Sequence, residues 1–134
     1  MRPRFARASL AVLGALVALL VAAPAASAWR SNYWHTPTHN IHCRFFPDIG
    51  GTPVMACTTQ NDDFVIAMTP ERKGWTDQGS DDWPPFPAGP TLQYGDSWTA
   101  RGNFRCVSQK KGVTCRSLQT RHGFFVNRAS YSLW

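Results

Sequence analysis

Few residues in this sequence have the types and spacing that catalysis requires. The string Arg121-His122-Gly123 is the most typical of an active site, because a histidine beside an arginine can act as a general acid toward an anionic substrate. A general base would have to come from Glu71, the only glutamate, or from an aspartate. Alternatively, His122 ends a turn and hydrogen-bonds the backbone. We favour this structural role for His122.

Three histidines near the start of the domain could bring imidazoles together on a metal ion. His35, His39 and His42 follow the spacing H-x3-H-x2-H, and imidazole is a common ligand of zinc and copper. Pro37 interrupts the segment, so no helix places these side chains on one face. Three aspartates around Gly79 lack the alternating acidic pattern of a calcium loop. We therefore predict no metal site and no cofactor.

The known catalytic motifs are also missing from the sequence. It contains no Gly-x-Ser-x-Gly string, no phosphate-binding loop and no paired-carboxylate spacing. The sequence therefore favours a non-catalytic binding or structural module. The alternative is a small secreted hydrolase, similar to a nuclease, that uses His122.

The cysteines predict two disulfides. The chain has four of them, Cys43, Cys57, Cys106 and Cys115, and an even number in an exported protein indicates a disulfide framework. Four cysteines allow three pairings. We predict Cys43–Cys57 and Cys106–Cys115, because each pair brackets a plausible hairpin. Zinc would need free thiolates at closer spacing.

The first 28 residues have the organisation of a secretory signal peptide. Three arginines lie within the first eight residues, an apolar run covers residues 10–21, and small residues occupy 26–28. The run is long enough for a signal peptide but shorter than the ~20 residues that span a bilayer. We therefore predict cleavage after residue 28, and a single domain of residues 29–134, secreted or held at the cell envelope. No later segment is apolar enough for a membrane span.

Charge is distributed unevenly over the predicted mature domain. Residues 29–93 contain four Lys/Arg and seven Asp/Glu, whereas residues 94–134 contain seven Lys/Arg and one Asp. A basic half suggests an acidic partner, such as an anionic envelope polymer or another secreted protein. Nucleic acid is less plausible, because outside cells it comes only from lysis. The candidate contact residues in this half are Lys110, Lys111, Arg121 and His122.

The elements that must position these residues are predicted to be strands. Alternating or continuous apolar runs are separated by turn residues, and no 3.6-residue period persists after the signal. The fold is therefore expected to be mostly β, as a small disulfide-stabilised antiparallel sheet or barrel. The predicted strands are 40–46, 54–59, 64–69, 94–100, 103–108, 113–118 and 124–133.

An irregular loop rich in tryptophan and proline is predicted over residues 70–90. It contains five prolines, three glycines and the large rings of Trp75, Trp83 and Phe86. A loop of this length in a compact domain is usually functional or disordered. The rings either bind a sugar or a peptide, or fold back to enlarge a small core. Trp75 and Trp83 are therefore candidate binding residues.

The two ends of the domain resemble motifs of a family of small secreted actinobacterial proteins of unknown function. Residues 36–43 resemble its T-P-S-x-N-I-x-C opening. Residues 104–115 and 122–131 resemble its F-x-C-x-S…G-x-x-C and G-H-G-F-x-x-S-R-x-x-Y close. The resemblance implies a fold and a compartment but no catalytic residue. Family members often have glycine where His39 and His42 stand.

Overall fold

The structure is a computed structural model that describes residues 31–61, 64–79, 81–100 and 102–134. The predicted signal peptide and its cleavage site lie outside these residues. The described part forms ten β-strands and no helix. It accordingly offers no helix that could cross a membrane. The strands form two five-stranded antiparallel sheets, which confirms the predicted fold class.

Sheet A is a meander in which each strand pairs with the next along the chain. The turn between its second and third strands uses Gly50 and Gly51, whose φ angles of 61° and 88° suit glycine. The strands of sheet A are β1 (Tyr33–His35), β2 (Ile41–Ile49), β3 (Thr52–Thr59), β4 (Phe64–Met68) and β5 (Trp75–Gln78).

Sheet B repeats this meander in the second half of the chain. Lys110 and Lys111 form the tight turn between its second and third strands, and Gly112 follows with a φ of 146°. A Cβ at Gly112 would lie 2.4 Å from the carbonyl oxygen of Val126, so glycine is needed there for space as well. The strands of sheet B are β6 (Ser97–Ala100), β7 (Phe104–Gln109), β8 (Gly112–Ser117), β9 (Gly123–Val126) and β10 (Tyr131–Leu133).

One apolar core lies between the two sheets and contains both disulfides. Trp34 and Ile66 of sheet A join Trp98 and Phe124 of sheet B in a single cluster of buried side chains. The disulfides are Cys43–Cys57 and Cys106–Cys115, as predicted. Each joins residues directly opposite each other on paired strands, β2 with β3 and β7 with β8.

A second apolar cluster lies on the outer face of sheet A. Its buried members come from β2, β3 and β4, and the rings of Trp83 and Phe86 pack against them. This part of the 70–90 segment therefore folds back onto the sheet. Because it covers the outer face, β3 is buried from Val54 to Thr59 on both of its faces. Such a strand has a continuous apolar run in place of alternation.

Two expectations about the elements need correction. The 70–90 segment is not irregular throughout, because its residues Trp75–Gln78 form β5. The predicted strand 124–133 is a hairpin of β9 and β10, because Asn127 accepts hydrogen bonds from Ala129 and Ser130 and turns the chain. Of the two predicted architectures, an antiparallel sheet or a barrel, the described residues adopt the first, as two sheets that do not close into a barrel.

Candidate binding sites

A basic cleft lies where the turns of the two sheets meet. Three cations line it, Lys110 and Lys111 from the β7–β8 turn and Arg128 from the β9–β10 turn. All three side chains are exposed. The cleft, of about 210 Å³, has no carboxylate among its lining residues. Its electrostatic potential therefore favours an anionic group.

Neutral polar groups complete the basic cleft. The lining includes Tyr94, Asn127 and Thr36. Thr36 is only 2% exposed, and its hydroxyl has no hydrogen-bond partner within the part of the chain that the structure describes. A buried hydroxyl without a partner is costly. Because small-molecule sites usually measure ~300–1,000 Å³, the cleft is suited to one charged group of a larger ligand.

An aromatic groove lies at the other end of β2. Trp75, Trp83 and Ile49 contribute its apolar surface, and its volume is about 660 Å³. The basic cleft is lined by Ile41 and the groove by Ile49, which are the two ends of β2. Eight residue steps of about 3.3 Å separate them, so the two sites lie about 25 Å apart.

Asp77 lies between the two tryptophans of the aromatic groove. Its Oδ2 accepts a hydrogen bond from Nε1 of Trp75 at 3.2 Å and another from Nε1 of Trp83 at 3.1 Å. The ring of Trp83 also packs 5.9 Å from that of Phe46, and Trp75 is 37% exposed. One carboxylate therefore fixes the edges of two indoles, while part of the surface of Trp75 faces solvent.

His122 and Arg121 lie apart from both sites and line neither the basic cleft nor the aromatic groove. The Nδ1 of His122 is 3.0 Å from the carbonyl oxygen of Trp134, and its backbone N–H donates to Thr120 Oγ1. The Ser117 backbone N–H donates a hydrogen bond to the His122 carbonyl oxygen. These contacts join the β8–β9 turn to the C-terminus, as a structural role requires.

The three N-terminal histidines do come together, although the described residues contain no group of side chains arranged to hold a metal ion. The rings of His35 and His39 stack with centroids 3.9 Å apart, and His42 lies 5.8 Å from His35. Two of the ring nitrogens are within hydrogen-bond distance of backbone oxygens. His35 Nδ1 contacts the Thr36 carbonyl oxygen, and His42 Nε2 contacts that of His39. These contacts fix the turn between β1 and β2.

The structure thus distributes the six candidate binding residues over three places. Lys110 and Lys111 share the basic cleft, Trp75 and Trp83 share the aromatic groove, and Arg121 with His122 lies elsewhere. The sequence did not indicate two further lining residues. Thr36 reaches the basic cleft through a turn that is distant from Lys110 in sequence, and Asp77 lies in the aromatic groove between two tryptophans.

Comparisons with known proteins give no further guidance on these sites. No family model, no curated protein and no solved structure matches the chain.

Proposed function

We propose that this chain is an exported, non-catalytic binding module whose basic cleft holds an anionic polymer of the cell envelope. The observation that carries the proposal is the convergence of Lys110, Lys111 and Arg128 on one cleft without a carboxylate in its lining. The side chains of Tyr94 and Asn127 add neutral hydrogen-bonding groups to the lining of the same cleft. The small volume suits one phosphate, sulfate or carboxylate group of a repeating polymer.

The two disulfides support the proposed compartment. Disulfides persist in oxidising environments outside the cytoplasm, and both cross-links here are buried in the core. Export through the N-terminal signal is therefore part of the proposal.

Membership in the actinobacterial family is part of the same proposal. His39 has a φ of 57°, a left-handed conformation that glycine adopts with less strain. Members of the resembled family often carry glycine at this position, so the backbone geometry supports the resemblance.

The test is sedimentation of the purified domain with cell-envelope material at low salt and at 1 M salt. We expect retention at low salt and release at 1 M, because the Debye length falls from ~10 Å at 0.1 M to ~3 Å at 1 M. Lys110→Glu with Lys111→Glu should abolish most retention. The matched control is Arg105→Glu with Arg121→Glu, which changes the net charge equally at exposed positions outside the cleft.

Two results would contradict the proposal. Retention that is the same at both salt concentrations would show that the contact is not electrostatic. Equal losses in the lysine and arginine variants would show that net charge alone attracts the polymer, without a specific cleft.

A further inference from the structure

We propose that the aromatic groove is a second binding site, specific for an organic ammonium group such as a quaternary or methylated amine. This inference goes beyond the proposed function, because the groove and the basic cleft lie at opposite ends of β2. The two sites select ligands of opposite charge.

The charges around the groove favour a cationic ligand. Its lining includes Glu71, Asp77 and Asp82, with Arg72 as the one lining cation. Glu71 and Asp82 are exposed, and Asp77 is half-buried. An anionic ligand would be repelled by the excess of carboxylates, and a neutral ligand would gain nothing from it. The excess of carboxylates over cations in the lining attracts a cationic ligand.

The two tryptophans make the site selective for an organic cation over a metal ion. An ammonium group with methyl substituents binds the face of an indole through the ring quadrupole, and tryptophan is the strongest aromatic partner for such a cation. In the groove, both indole N–H groups donate to the same carboxylate oxygen of Asp77. The negative charge of Asp77 therefore lies directly beside both indoles of the groove.

The groove is also held in place before a ligand arrives. Trp83 packs 5.9 Å from Phe46 and 6.5 Å from Phe86, measured between ring centroids. The Arg44 guanidinium donates to the Pro85 carbonyl oxygen and fixes the loop that carries Trp83 to the sheet. A preformed site loses less conformational entropy on binding. Its volume of about 660 Å³ lies within the usual range of small-molecule sites, ~300–1,000 Å³.

The test compares two probes that differ only in charge. Choline carries a quaternary ammonium, and 3,3-dimethylbutan-1-ol is its neutral isostere. Each is titrated into the labelled protein at low salt while the indole N–H resonances are followed by NMR. We expect saturable shifts at Trp75 and Trp83, and an affinity for choline at least about fivefold higher than for the alcohol, as a cation–π contact with carboxylate support implies.

Matched substitutions distinguish a loss of the binding site from a loss of the fold. Asp77→Asn retains an acceptor oxygen for the indoles but removes the charge, and should weaken choline binding by at least about fivefold. Asp96→Asn makes the same charge change at an exposed residue outside the groove and should leave binding unchanged. Trp75→Leu should abolish choline binding. Its control is Trp134→Leu, at a residue that is 38% exposed compared with 37% for Trp75.

Several results would overturn the inference. Choline that causes no saturable shift, or that binds no better than the neutral alcohol, would exclude an ammonium site. Equal binding by the wild type and the Asp77→Asn variant would show that charge has no role. Saturable binding of a neutral oligosaccharide without choline binding would identify the groove as a sugar site instead.

Discussion

Removing either disulfide should destabilise the domain by a similar and substantial amount. Cys43–Cys57 has a sequence separation of 14 residues and Cys106–Cys115 a separation of 9. In the chain-entropy model, loops of these lengths contribute about 3 and about 2.6 kcal/mol. Small domains have a free energy of unfolding on the order of 5–15 kcal/mol. Each disulfide is therefore a considerable share of the total.

The two pairs form a matched comparison. All four cysteines are at most 1% exposed, so replacing either pair with alanine removes two buried sulfur atoms from the same core. The packing loss is similar for the two pairs, and the loop-length term differs by only about 0.4 kcal/mol. We expect Cys43→Ala with Cys57→Ala, and Cys106→Ala with Cys115→Ala, each to lose at least about 3 kcal/mol.

Urea titration followed by near-ultraviolet circular dichroism provides the measurement. The slope of the transition should also increase in each double variant, because an unfolded chain with one cross-link fewer exposes more surface. A loss below about 1 kcal/mol in either double variant would refute the entropic argument. So would a difference above about 2 kcal/mol between them, since loop length would then not determine the effect.

Two further predictions concern single residues in sheet B and its turns. Gly112→Ala should cost about 3 kcal/mol in thermal unfolding, because a Cβ would lie 2.4 Å from the Val126 carbonyl oxygen and φ is 146°. Gly102→Ala, with φ of 74° and nothing within 4 Å of the added Cβ, should cost only about 1 kcal/mol. Equal costs for the two variants would contradict a steric clash at Gly112. His122→Ala should lower the melting temperature by the equivalent of about 1 kcal/mol, through loss of the contact with Trp134. Hydrolase activity that disappears in this variant at an unchanged melting temperature would instead support a catalytic role.

The elements that could be predicted from the sequence are those determined by residues close together in the chain. The turn at Gly50 and Gly51 adopts positive φ at both residues, and the strands on either side bring Cys43 and Cys57 into direct register. Glycine and the cysteine spacing both constrain local geometry, and so the hairpin could be predicted without knowledge of the other sheet.

The missed elements depend on contacts between distant parts of the chain. Strand β5 has the sequence Trp-Thr-Asp-Gln, which has no apolar alternation, and it forms because β4 offers it a free edge. Strand β1 is only three residues long and likewise pairs at an edge. The sequence indicated Trp75 and Trp83 as candidate binding residues, but the groove that they form could not be predicted, for the same reason. Its two tryptophans become neighbours only when the loop containing Trp83 crosses the outer face of sheet A.

The meander topology explains why the basic cleft and the carboxylate-lined aromatic groove lie apart in one small domain. Each half of the chain forms its own sheet, and the charges of the described residues follow the same division, with an acidic excess before residue 94 and a basic excess after it. Turns at opposite ends of β2 then complete the two sites, with the Lys110–Lys111 turn at one end and the segment around Trp75 at the other. The sites are about 25 Å apart along β2, and the Debye length is ~8 Å at physiological ionic strength. Dissolved salt therefore screens the charges of each site from the other. A charge reversal in one should therefore leave binding at the other unchanged.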